Sequence, residues 1–163
     1  MNPTPYIEIF TDGAAKGNPG PGGFGVVMRF QGKVREISQG YRRTTNNRME
    51  LLAVIVALEA LKTNTHPVRI CSDSKYVIDS ITKGWIFSWQ KKGFKDKKNP
   101  DLWMRYLALH SRFKIEFEWV RGHNGHPENE RCDVLAVAAA VSKNLLVDTY
   151  FEEQEKKQKE GLF

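Results

Sequence analysis

Cysteine is scarce: Cys71 and Cys132 are the two in 163 residues. So small a set gives no disulfide framework, and a reducing setting is the expectation. No apolar run approaches the roughly 18 uninterrupted residues that a membrane helix needs. The opening stretch MNPTPYIEIF has neither the basic n-region nor the apolar h-region of a secretory leader. A cytoplasmic chain without a membrane partner is therefore expected. Internal repeats are missing too, and acid is not in excess: Lys and Arg number 25 against 19 Asp and Glu, a formal net charge of +6. That balance excludes an acidic self-solvating chain and admits a polyanionic partner without requiring one. The glycine-rich run from Asp12 to Gly23 matches neither standard phosphate-cradling spacing. It reads instead as a wide loop between strands, with glycines at positive φ.

What is present suits one globular domain, with 40% hydrophobic and 27% charged residues. Tyr6-Ile-Glu-Ile-Phe-Thr-Asp12 alternates as a strand does, and residues 24–30 and 33–41 flank a Gln31-Gly32 turn as a hairpin would. Thr44-Thr45-Asn46-Asn47 supplies N-cap chemistry for a helix over 48–61, which is so apolar on all sides that it must be buried. A short strand over 68–73, helices over 74–82 and 100–109, and an alternating strand over 115–120 follow. Pro127 sits where a first helical residue would, opening a helix to about Ser142. The order favours an α/β fold, a mixed sheet with helices on its faces. Residues 1–150 read as the domain and 151–163 as a charged, low-complexity C-terminal tail.

Four acids stand out by position. Asp12 ends the first strand, Glu50 lies in the first turn of the apolar helix, Asp73 ends another strand, and Asp133 is about two turns into the last helix. Each alone could be a cap or a surface charge. Carboxylates at buried positions, however, need a shared cation or basic partners. Acids without dedicated imidazole or thiolate ligands suit magnesium or manganese. A zinc site from His123, His126, Cys132 and Cys71 has irregular spacing and is disfavoured. His123, in the loop Gly122-His-Asn-Gly-His126, suits a mobile general acid or base. Residues 83–98 interleave Lys83, Lys91, Lys92, Lys95, Lys97 and Lys98 with Trp85, Phe87, Trp89 and Phe94. Lysines that neutralise phosphates among aromatics that stack are the grammar of a nucleic-acid surface; core aromatics behind a solvated lysine face are the alternative.

Five linked motifs carry a resemblance: Thr11-Asp-Gly13, Gly17-Asn-Pro-Gly-Pro-Gly-Gly-Phe-Gly25, Gly40-Tyr-Arg-Arg-Thr-Thr-Asn-Asn-Arg-Met-Glu50, Ser72-Asp-Ser74 and Gly122-His-Asn-Gly-His-Pro-Glu-Asn-Glu-Arg-Cys-Asp133. Over residues 6–148, in order and spacing, the chain resembles type 1 ribonuclease H of the bacterial kind. The resemblance implies a ribonuclease H-like, five-stranded mixed sheet, three antiparallel strands and then two parallel, with helices on both faces. It implies an endonuclease that hydrolyses the RNA strand of RNA–DNA hybrids to 5′-phosphate and 3′-hydroxyl ends, using two magnesium ions, with manganese as a substitute. Asp12, Glu50, Asp73 and Asp133 match the metal-binding carboxylates. Asp12 bridges both ions, Asp73 helps hold the one that activates water, and Glu50 and Asp133 hold the one at the leaving oxygen. His123 matches the loop histidine, as proton carrier or as an aid to product release. Asn18, Asn46 and Asn47 match minor-groove contacts, and Arg43, Thr45 and Asn46 a pocket for a DNA-strand phosphate. Trp85, Trp89, Lys91, Lys92, Lys95 and Lys97 fall in the family's basic protrusion. Lys75 falls at a further minor-groove position of the family, where it departs from the glutamine usual after the Asp-Ser pair. A non-catalytic hybrid-binding module and a DNA nuclease of related fold are the alternatives. A monomer is expected. The C-terminal Gly161-Leu162-Phe163 resembles peptides that grip the bacterial sliding clamp, although Lys159 stands in place of a leucine; folding back onto the domain is the other option.

Overall fold

Three strands open the molecule, a computed structural model that describes residues 5–121 and 126–161. Strands β1 (Ile7–Ala15), β2 (Gly20–Phe30) and β3 (Lys33–Thr44) form an antiparallel meander. The Gln31-Gly32 turn has φ of 48° and 81°, the left-handed pair that a two-residue hairpin needs. The wide glycine loop is not found. Pairing of β1 with β2 continues through it, leaving residues 16–19 as the connection, and of the glycines in the expected loop only Gly17 has positive φ. The others serve close approach instead.

Thr45 caps helix α1 (Asn46–Glu59), its hydroxyl accepting from the Arg48 amide at 3.2 Å. α1 is apolar around most of its surface because most of it is covered: the sheet lies beneath it and α4 (Pro100–His110) lies against it. Strand β4 (Val68–Ser72) returns parallel to β1, as a helical crossover requires. After it come α2 (Lys75–Thr82), capped by Ser74, and the short α3 (Trp85–Lys91). β5 (Ile115–Trp119) then joins parallel to β4, and α5 (Pro127–Ala140) crosses the opposite face over β1, β2 and β3. With a final short strand β6 (Leu145–Leu146), the sheet order is β5-β4-β1-β2-β3-β6.

Strand alternation divides the core in two. Ile9, Val26 and Met28 face α1 in the larger cluster, while Phe10 and Val27 join Cys71 and Cys132 beneath α5. Two further features differ from the sequence reading. The sheet has six strands rather than five, because β6 (Leu145–Leu146) pairs parallel with Gly40 and Tyr41. A two-residue strand is too short to show alternation. The charged residues after Asp148 form helix α6 (Thr149–Glu160), with Asp148 as N-cap, and Glu152 and Glu155 reach Arg42 and Arg43 of β3.

A buried ion network fixes where that last helix starts. Arg48, 3% exposed, gives its guanidinium to Asp148 at 2.7 and 3.0 Å and to Asp101 at 2.9 and 2.7 Å. Thr44 donates to the same Asp148 carboxylate at 2.8 Å. One arginine thereby ties α1, α4 and the origin of α6 together. Removing one partner of such a buried pair leaves an uncompensated charge.

Candidate active site

The parallel pairing of β1 with β4 sets two acids side by side. Phe10 is opposite Cys71, so two residues further on Asp12 and Asp73 stand at the same level. Glu50 joins them because Gly13 has no side chain: a β-carbon there would lie 2.4 Å from the Glu50 amide nitrogen. The first turn of α1 therefore rests directly on the strand. The oxygens that Asp12, Glu50 and Asp73 can offer a cation lie within 4.8 Å of one another.

Asp133 arrives from the other face of the sheet. Asp12 is paired across to Gly25, and a β-carbon at Gly25 would fall 2.3 Å from the carbonyl oxygen of Cys132. α5 can thus press onto β2 and carry the next residue, Asp133, to a small cavity that it lines with Asp12, Asp73, Asn129 and Glu130. Asp133 is not among the three tightly clustered carboxylates. Asn129 and Glu130 are lining residues that the sequence did not single out; their place one helical turn before Asp133 was the available signal.

Gathering carboxylates in a dry site raises their proton affinity. Burial pushes Asp12 up to about 7, and the charges of Asp73 and Asp133 add to this, while hydrogen bonds from Glu50 and from the Gly13 amide at 2.9 Å oppose it. Burial lifts Glu50 well above the usual carboxyl range, with the Asp12 and Asp73 charges next in weight. Oε2 of Glu50 is buried and has no hydrogen-bond partner among the described residues. An unpaired buried carboxylate oxygen beside two other carboxylates fits a hard divalent cation. The donors are all oxygens, which suits magnesium or manganese and not zinc.

Both cysteines have other employment. The Cys132 thiol donates to the Phe10 carbonyl at 3.1 Å, and burial pushes it up to about 12. Burial pushes Cys71 equally high. Each remains a protonated, packed thiol. His126 lies against the Phe10 ring at 5.4 Å, whereas His123 falls outside the described residues. The zinc set therefore has no shared centre among the described residues.

A second cluster lies beside the acids. The Asn18 side chain accepts from the Asn46 amide at 3.0 Å, which holds the connection before β2 against the start of α1. Asn18, Thr45, Asn47, Lys97 and Lys98 line one cleft of about 460 Å³. Arg43 is exposed but engaged by Glu155. Lys75 stands 4.8 Å above the Trp119 ring, and the Trp119 indole donates to the Asp73 carbonyl at 3.1 Å.

The protrusion divides its aromatics between core and surface. Phe94 is buried, Trp89 is half-buried with its ring 6.1 Å from that of Trp103, and Trp85 is 44% exposed. Lys97 lies over Trp89 at 5.2 Å and Lys83 over Trp85 at 5.3 Å. Lys91, Lys92, Lys95 and Lys97 are all exposed. Beside the stretch, the Tyr76 hydroxyl of α2 accepts from Asn99 and Trp103 at the start of α4, at 3.0 and 2.9 Å.

Comparison with known proteins agrees with this geometry. The family model for RNase H matches residues 4–141. A ribonuclease H of Desulforamulus reducens is 55% identical over 147 residues, covering 87% of this chain and 92% of that protein. One of Escherichia coli is 56% identical over 144 residues, covering 85% and 92%. Among solved structures, LC9-RNase H1, a type 1 RNase H with the type 2 active-site motif, superimposes with a TM-score of 0.74 at 34% identity, over 94% of this chain and 82% of that one. LC11-RNase H1, solved in complex with RNA/DNA hybrid, gives 0.61 at 29% identity, over 82% and 96%.

Proposed function

This chain belongs to the RNase H family and is an endonuclease for the RNA strand of RNA–DNA hybrids, and we propose that it works through divalent magnesium held by Asp12, Glu50, Asp73 and Asp133. The observation behind this assignment is the meeting of three carboxylates, from β1, from the residue just after β4 and from α1, within 4.8 Å. Two ions bound there would neutralise charge on the scissile phosphate and lower the pKa of the attacking water. The protein's own part is positional. Gly13 and Gly25 let α1 and α5 carry Glu50 and Asp133 to the strand ends, and the surrounding core buries Asp12 and Glu50. Retention of all four acids speaks against a mere binding module, since clustered negative charge repels phosphate unless a cation lies between.

Hybrid grip follows from the same reading. Asn18, Asn46, Asn47 and Lys75 take the minor groove, where the 2′-hydroxyl distinguishes RNA from DNA. Arg43, Thr45 and Asn46 receive a DNA-strand phosphate. Trp85, Trp89, Lys91, Lys92, Lys95 and Lys97 meet the DNA strand further along. His123 carries a proton or hastens product release. The reading includes a cytoplasmic monomer with one catalytic domain over residues 1–150, and a weak sliding-clamp contact through Gly161, Leu162 and Phe163. Leu162 and Phe163 lie outside the described residues. Among those described, no helix is long and apolar enough to cross a membrane.

One comparison tests the proposal: cleavage of an RNA–DNA hybrid, duplex DNA and duplex RNA, each with magnesium and with a chelator. Cleavage of the hybrid's RNA strand alone, abolished by chelation, is expected. Equal cleavage of duplex DNA would favour the related DNA nuclease, and hybrid binding without cleavage the binding module.

A further inference from the structure

The arginine assigned to a substrate phosphate already holds a carboxylate. Arg43 gives Nε and Nη2 to the two oxygens of Glu155, at 2.7 and 2.8 Å, in the planar two-bond geometry that a guanidinium also offers phosphate. Arg42 is held the same way by Glu152, with both bonds at 2.9 Å. The two acids are three residues apart on α6, on one face of that helix. The helix is not placed loosely. Its N-cap, Asp148, is gripped by buried Arg48 and Thr44, and Arg48 also lies 5.4 Å from the centroid of the Tyr150 ring. From that fixed start α6 lines the cleft of about 460 Å³ with Gln154, Glu155 and Gln158, alongside Asn18, Thr45 and Lys97.

We propose that Glu155 is a built-in competitor for the DNA-strand phosphate, so that α6 sets how tightly this enzyme holds its hybrid. This rests on the assignment of Arg43 to phosphate binding. A phosphate reaching Arg43 displaces the Glu155 carboxylate, and the hybrid's affinity is lowered by the strength of the bond broken. Lys97, which lines the same cleft, stays available to the incoming strand. Glu155 is 22% exposed and Arg43 44%, so solvent and salt weaken the pair and the effect is moderate.

The test is hybrid cleavage by the full-length chain at several salt concentrations, comparing wild type with Glu155→Gln, Glu153→Gln, Arg43→Ala and the double variant Arg43→Ala/Glu155→Gln. Glu153 is exposed on the same helix and removes the same charge. Glu155→Gln should lower KM about threefold at low salt, more than Glu153→Gln does, and the gain should shrink as salt rises. In the Arg43→Ala background the same change should give no gain. The inference is overturned if Glu155→Gln leaves KM unchanged or raises it, or if it gains no more than Glu153→Gln. Should Arg43→Ala itself leave KM unaltered, the phosphate assignment fails and the inference with it; a raised KM for Arg43→Ala with no gain from Glu155→Gln overturns the inference alone.

Discussion

Gly13 and Glu50 are in backbone contact: the place where a β-carbon would stand on Gly13 is 2.4 Å from the Glu50 amide nitrogen and 2.6 Å from the Met49 carbonyl carbon. A metal-ligand candidate on a helix is thus located by the residue following another on a strand. Both obstructing atoms are backbone and cannot rotate away. Gly13→Ala must push the first turn of α1 off β1, at about 1–3 kcal/mol for an overpacked core. A melting temperature lower by several degrees is expected, together with a loss of hybrid cleavage larger than the lost stability explains. Thermal melts and kcat measured well below the transition check this; an unchanged melt and unchanged kcat would show that the contact is not needed.

Buried acids near one another make the metal-free protein sensitive to pH. Asp12 titrates near 7 in the folded chain and near 4 in an unfolded one. A raised folded value means that the native state binds the proton more tightly. Its stabilising contribution is therefore complete below about pH 4 and is lost as pH rises through about 7. In chelator, wild-type stability should decline across that window, and Asp12→Asn should flatten the decline and melt several degrees higher at pH 8. Denaturant unfolding from pH 4 to pH 8 is the measurement. A wild-type curve as flat as the variant's would remove the electrostatic account of the site.

How much of this could be read from residues alone differs from feature to feature. Asp12, Glu50 and Asp73 announced themselves because strand ends and an apolar helix are poor places for unpartnered charge. The buried character of α1 was equally plain. The wide loop does not form because glycine serves two purposes: at Gly17 it supplies positive φ, whereas at Gly23 it supplies absence of bulk, and only the packed α5 reveals which. The Arg48–Asp101–Asp148 network joins residues 53 and 100 apart in sequence, a pairing without local signature. The α6 residues looked like a solvated tail because their composition is polar, and the Arg42 and Arg43 that orient them lie over a hundred positions earlier.

The protrusion should govern docking more than chemistry. Lys91, Lys92, Lys95 and Lys97 are exposed, and beyond Lys97 over the Trp89 ring none is tied into the core. Replacing the four by alanine should raise KM and reduce its dependence on salt, by up to about one unit of log–log slope for each lysine that meets a phosphate, with kcat nearly constant. Steady-state cleavage across a salt series measures both. A fall in kcat with KM unmoved would place these lysines outside the docking surface.

The carboxylates themselves are tested most directly by neutralising each in turn, as Asp12→Asn, Glu50→Gln, Asp73→Asn and Asp133→Asn, and measuring cleavage of the RNA strand of a hybrid at saturating magnesium. Each variant should remain folded and lose roughly a hundredfold or more in kcat, because each removes an oxygen that would hold the cations against the scissile phosphate. A folded Asp12→Asn protein that cleaves the hybrid near the wild-type rate would contradict the assignment of this site.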